Sequence, residues 1–196
     1  MSRVAQLSRK TGETDVRVGL DLDGTLTGEI STGVGFFDHM LELLTRHGHV
    51  GLTVTVRGDL ETGAHHTVED TGIVLGQAIG EALGDRRGIR RYGYAVVPMD
   101  EARAACALDV SGRPYACLEG VALPAQAVAD FDSDLTEEFL RAVASAARLT
   151  VHVEIERGTN THHMVEAAFK AVARALRDAV ALDPDEAGVP STKGLL

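Results

Sequence analysis

Two short stretches carry the chain's clearest chemistry: His65-His66-Thr67-Val68-Glu69 and His162-His163-Met164-Val165-Glu166, which lie 97 positions apart (162 less 65). Each sets a glutamate three residues after a double histidine. Imidazole nitrogen together with carboxylate oxygen suits a borderline or hard divalent ion such as Mn, Fe, Co or Zn, and the absence of nearby thiolates argues against a soft cysteine site. If each segment opens a helix, its first histidine shares a face with the glutamate at i, i+4 and its second at i, i+3. Adjacent histidines then point about 100° apart, so they do not easily grip one ion. The economical arrangement is two ions, each held partly by one copy and partly by the other or by a neighbouring subunit. A single motif of this kind reads equally well as a polar helix start whose histidines cap or face solvent. Two copies in equivalent places of a repeat argue for ligands.

The elements around the motifs repeat as well. Leu52-Thr53-Val54-Thr55-Val56 and Leu149-Thr150-Val151-His152-Val153 keep the same offset, and the stripe Val68, Leu75, Ile79, Leu83 maps onto Val165, Val172, Leu176, Val180. Further upstream Glu13 aligns with Glu101, which sets Leu20-Asp21-Leu22-Asp23-Gly24 against Leu108-Asp109-Val110-Ser111-Gly112. Residues 1–11 are polar and read as a mobile arm. Thr14 to Asp23 alternates with period two, as a strand turning at Asp23-Gly24. Residues 36–44 carry a helical stripe, 52–57 form a strand, and a long helix runs from His65 to near Gly84. The second copy begins near Tyr92 with another hairpin, followed by a helix from Leu135 to Arg148, a strand, and a helix to about Val180. This predicts an α+β fold, an internally duplicated unit with helices packed on one face of mixed or antiparallel sheets. Residues 1–91 form the first half, 92–186 the second, and 187–196 a turn-rich tail that is either frayed or closes over a ligand at the active site.

Composition bounds the function. At 196 residues, 44% apolar and 24% charged, the chain has the make-up of an ordinary globular protein with a substantial core. A net charge of −10 disfavours nucleic acid and anionic membranes as partners, so an anionic substrate needs a local cationic pocket. Lysine is scarce (Lys10, Lys170 and Lys193), which draws attention to the last two. Cys106 and Cys117 form no CxxC pair and read as buried structural thiols. With no apolar signal core and no membrane-length run, the cytoplasm is the expected location.

Asp21-Leu22-Asp23-Gly24-Thr25 after an apolar strand matches the DxDGT signature of haloacid-dehalogenase-type phosphatases, whose first aspartate is a nucleophile. Its repeat partner is Asp109-Val110-Ser111-Gly112, no acidic Mg-binding pair follows, and the chain is not a βαβ series; a turn is the better reading. The repeat also sets His39 opposite Glu138 once a short length change in the later loop is allowed. If His39 is a ligand, Glu138 is its counterpart, unless it only favours a helix dipole.

The phrases STGVGFFDHML, GAHHTVEDTGI, VPMDEA, THHMVEAAFKAVARAL and PSTKG, spread in order over residues 13 to 194, resemble the imidazoleglycerol-phosphate dehydratases of histidine biosynthesis. The resemblance implies a ribosomal protein S5 domain 2-like duplicated fold, a shell of 24 subunits, and two Mn ions per active site at subunit interfaces. It implies His39, His65, His66, Glu69, His162, His163 and Glu166 as metal ligands. Many relatives have a further histidine where this chain has Glu138, which makes Glu138 a substituted ligand. It implies Glu13, Arg91, Arg113, Lys170, Ser191 and Lys193 as contacts of a phosphorylated imidazole substrate, with Glu13 the candidate acid/base. A metal-bound shell protein without catalysis is the rival from another class.

Overall fold

The computed structural model describes residues 3–24 and 28–196, so Thr25 of the DxDGT match lies outside the described residues. The first half contains β1 (Val4–Lys10), β2 (Thr14–Asp21), β3 (Ile30–Ser31), α1 (Gly35–Gly48), β4 (Gly51–Gly58) and α2 (His65–Leu83). The second contains β5 (Tyr92–Met99), β6 (Ala102–Asp109), β7 (Tyr115–Gly120), a small β8 (Ala127–Val128) and β9 (Phe131–Asp132) ribbon, α3 (Leu135–Ala147), β10 (Thr150–Arg157) and α4 (Thr161–Val180). Two four-stranded sheets result, in the orders β1-β2-β4-β3 and β5-β6-β10-β7. In both, three antiparallel strands are closed by a parallel edge strand: β3 on β4, and β7 on β10.

Period-two alternation builds the inner faces. Val16, Val18 and Leu20 pair with Val56, Val54 and Leu52 and are all buried. Val151, Val153 and Ile155 sit opposite Leu108, Cys106 and Ala104 in the same way. The helices lie on these faces, α2 against β1 and β2, and α4 against β5 and β6. Helix pairing crosses the repeat: α1 packs on α4, and α2 on α3. Gly72 and Gly76 let α2 and α3 approach, since a Cβ at Gly76 would meet the Val143 carbonyl at 2.6 Å. Phe37 of α1 meets Phe139 of α3 edge-on at 5.2 Å, and Phe139 stacks on Phe169 of α4 at 5.4 Å. These three buried rings join both halves into one core.

Three expectations need correction. Residues 4–10 are not a mobile arm but an edge strand, paired with β2 from Val4↔Asp21 to Lys10↔Asp15. Its outward positions after Val4 are polar because they face water, which hid the inward Ala5 and Leu7. The Asp23-Gly24 and Ser111-Gly112 steps are not hairpin tips either. The hairpins close at Thr11–Glu13 and Asp100–Glu101, while the steps at 23–24 and 111–112 carry the chain out of β2 and β6. Cys117 is only half-buried, on the outer face of its sheet, whereas Cys106 is enclosed.

Candidate metal and substrate site

Both double histidines stand in the first turn of their helices. Asn160 caps α4, its side-chain oxygen accepting the N–H groups of His162 (2.9 Å) and His163 (3.4 Å). The rings in each pair diverge, at 87° for His65/His66 and 82° for His162/His163. The leading histidine of each pair points along its own helix. His162 Nε2 lies 3.1 Å from Glu166 Oε2, and His65 Nε2 lies 3.9 Å from Glu69 Oε2. The histidine that follows it turns sideways, toward a carboxylate from another segment. His66 Nδ1 is 3.0 Å from Asp59 Oδ2, and His163 Nδ1 is 2.6 Å from Glu101 Oε2.

The remaining ligand candidates divide between these groups. His39 of α1 brings Nε2 to 3.7 Å from Glu166, whose other oxygen takes the Lys170 ammonium at 2.6 Å. Glu138 of α3 shares an open groove with Glu69 of α2. Burial pushes the Glu166 carboxyl up, but the Lys170 ammonium and His162 outweigh it and hold the group below its usual range. The hydrogen bond from His163, with those from the Asn160 and Thr159 backbone, sets Glu101 at about 2. The same bond raises His163, and Asp59 raises His66. Glu13 lies in the first hairpin turn, 56% exposed, with Oε1 3.8 Å from His66 Nε2.

The residues expected to bind phosphate gather elsewhere. Arg91 gives Nε and Nη2 to Asp109 at 2.8 and 3.2 Å and Nη1 to the Pro190 carbonyl at 2.8 Å. Arg113 approaches the same carboxylate, with Nη2 3.9 Å from Oδ2. Ser191 and Lys193 follow in the tail, where the Lys193 N–H bonds Ser191 Oγ. The Arg91 N–H bonds the carbonyl of Ala179, in the last turn of α4. At 1.5 Å per residue that is roughly 25 Å along α4 from His163. Only Lys170 stands near the histidines.

The donor set fits divalent ions: imidazole nitrogens and carboxylates, with two rings braced at Nδ1 so that Nε2 faces outward. The sets from one chain are incomplete, however. Among the described residues, the one trio of ligand-type side chains with all donor atoms within 4.8 Å is Cys117, Glu119 and His152, on the outer face of the second sheet. The motif histidines stand in separate groups, each beside one or two carboxylates. The sequence reading missed Asp59 and Glu101. Its alignment of Glu13 with Glu101 held the signal for the second.

The DxDGT reading fails here. Asp21 is buried at the end of a strand flanked on both sides by antiparallel neighbours, and its Oδ1 accepts the Asp23 N–H at 2.9 Å. What the fold and site define is a duplicated α+β protein with a twin imidazole–carboxylate site at its helix starts. The chain belongs to the family described as imidazoleglycerol-phosphate dehydratase, whose model matches residues 32–176. It is 59% identical over 194 residues to the imidazoleglycerol-phosphate dehydratase of Symbiobacterium thermophilum (99% of this chain, 93% of the relative), and 56% identical over 196 residues to that of Frankia casuarinae (all of both chains). Among solved structures it resembles the Staphylococcus aureus enzyme (TM-score 0.82, 40% identity, covering 92% of this chain and 99% of that one). It also resembles the Pyrococcus furiosus enzyme, solved with (S)-C348 (TM-score 0.84, 36% identity, 97% and 100% covered). No described helix is long and apolar enough to cross a membrane.

Proposed function

We propose that the chain is a hydro-lyase that removes water from imidazole glycerol phosphate to give imidazole acetol phosphate, at a site completed by two divalent ions, Mn foremost, and by neighbouring copies. Family membership supports the reaction. The observation that carries the metal role is the repeated divergence of paired histidines, which offers donor nitrogens on two sides of each helix start. His39, His65, His66, Glu69, His162, His163 and Glu166 would hold the ions, with Glu138 in the eighth place. Bound by these residues, divalent ions would supply the Lewis acidity that makes an imidazole ring a better electron source.

The chain's own residues supply the rest. Arg91, Arg113 and Lys193, with the Ser191 hydroxyl, give the phosphate a positive field that the acidic whole lacks. Lys170 neutralises Glu166 and keeps that carboxylate ionised. Glu13 handles protons at the substrate's C2 and at the C3 hydroxyl. The C3–O bond breaks as Glu13 gives its carboxyl proton to the leaving hydroxide to make water, the C2 proton returns to the Glu13 carboxylate, and the resulting enol tautomerises to the ketone. Assembly into 24 subunits and a cytoplasmic setting complete the proposal. The roughly 25 Å between His163 and the Arg91 cluster supports sites shared between chains.

The test is stripping the protein of metal and assaying imidazole glycerol phosphate with each divalent ion restored. Recovery of dehydration with Mn, with about two ions bound per site, supports the reading. Full turnover in the stripped protein, or stable assembly with bound metal and no turnover, overturns it. The second outcome would favour a non-catalytic shell.

A further inference from the structure

The two copies brace their second histidine with carboxylates from different places. Glu101, in the turn between β5 and β6, takes His163 Nδ1–H on Oε2 at 2.6 Å. Its Oε1 takes the backbone N–H groups of Asn160 at 2.8 Å and Thr159 at 3.1 Å, just ahead of α4. That carboxylate is tied on both sides. Glu13 is its repeat counterpart, in the turn between β1 and β2, yet it makes no side-chain hydrogen bond among the described residues. Its nearest approach to His66 is 3.8 Å, and to Nε2 rather than Nδ1. The bracing of His66 falls instead to Asp59, at 3.2 and 3.0 Å from Nδ1, itself steadied by the Thr62 hydroxyl at 3.1 Å.

In a neutral imidazole one ring nitrogen donates and the other accepts. A carboxylate only accepts, so a ring facing one at Nδ1 carries its proton there and presents the Nε2 lone pair outward. We infer that Glu101 and Asp59 are positioning residues that fix His163 and His66 in the Nδ1–H tautomer, with Nε2 free for a divalent ion. The duplicated carboxylate has therefore divided its labour. Glu101 is committed to holding a ligand, whereas transfer of that duty to Asp59 leaves Glu13 uncommitted and able to exchange protons.

The inference rests on the proposed metal role, and Glu101→Gln separates the two. The amide oxygen of that variant still accepts the Thr159 and Asn160 N–H groups, so the tie between hairpin and helix persists. Its NH2 group then faces His163 Nδ1 and favours the opposite tautomer. Asp59→Asn does the same for His66. In the metal-free full-length protein, 15N resonances of the labelled histidines, assigned by single substitutions, report the tautomers directly. Mn binding, followed by electron paramagnetic resonance, reports the consequence. Wild type is expected to show Nδ1–H at both rings, each variant to reverse its own ring alone, and Mn affinity to fall about 10–100-fold. Unchanged tautomers, or reversed tautomers with unchanged Mn affinity, overturn the inference. Failure of the wild type itself to bind divalent ions overturns the metal reading, and the ring spectra still decide what the carboxylates do.

Discussion

At the residue scale, the His163–Glu101 bond ties two titrations together in the metal-free protein. The bond raises His163 above 6.5, so the stability it contributes is full below that value and lost as pH rises through the raised pKa. It lowers Glu101 from 4.5 to about 2, so that contribution is full above 4.5 and lost as pH falls toward 2. The two windows overlap between about 4.5 and 6.5. The melting-temperature difference between metal-free wild type and Glu101→Gln is therefore expected to peak near pH 5–6 and shrink on both sides. A difference that keeps growing above pH 8 would contradict this. The thiols give a second prediction of the same grain. Burial pushes Cys106 up to about 12 and encloses it, while Cys117 is half-exposed 3.2 Å from His152 Nδ1. A thiol-directed reagent at mildly alkaline pH is expected to label Cys117 far faster than Cys106, and Cys117→Ser to abolish the fast phase. Equal rates would mean that the inner face of the second sheet opens readily.

At the scale of elements, periodicity was informative wherever one face meets the core and the other meets water. The stripes at 36–44, 68–83 and 165–180 place three helices, and the alternation at 52–57 places a strand. The first strand escaped because its inward face, on an edge, carries only two apolar residues, Ala5 and Leu7, followed by Arg9. Which helix packs on which was not legible at all, since a stripe says that a face is buried but not what covers it. The crossed pairing rests on aromatic contacts between segments about 100 residues apart, Phe37 with Phe139 above all. Phe139 is 1% exposed and touches both other rings. Phe139→Ala is expected to cost about 3–5 kcal/mol, from lost burial and the cavity left behind. Denaturant unfolding measures it, and a loss below about 1 kcal/mol would mean that the halves are not joined through this ring.

At the scale of the whole molecule, the chain keeps the histidines proposed to hold metal apart from Arg91, Arg113, Ser191 and Lys193, proposed to hold phosphate. The ligand types were readable because duplication printed them twice, whereas the separation depends on the tertiary course of the chain. Three elements show it. Along α4, His163 opens the helix and Ala179, bonded to the Arg91 N–H, closes it. Along β6, Glu101 at one end holds His163 and Asp109 at the other holds Arg91, eight residues on and roughly 26 Å away. Along α2, His66 stands at the start, and the segment after the helix runs beside the end of α4 through the Arg90 N–H to Ala181 carbonyl bond. A substrate with imidazole and phosphate only a few bonds apart cannot span that distance, so in the proposed function His163 comes from one chain and the Arg91 cluster from another. A mixing experiment follows. His163→Asn alone and Arg113→Ala/Lys193→Ala alone are each expected to be nearly inactive. Dissociated, mixed in equal amounts and reassembled with Mn, they should recover about a quarter of wild-type activity, since each of two chains contributing to a site is intact half the time. Recovery close to zero in a fully reassembled mixture would place His163 and Arg113 of one chain in the same site, and the separation seen along α4 and β6 would have to be closed by movement within the subunit.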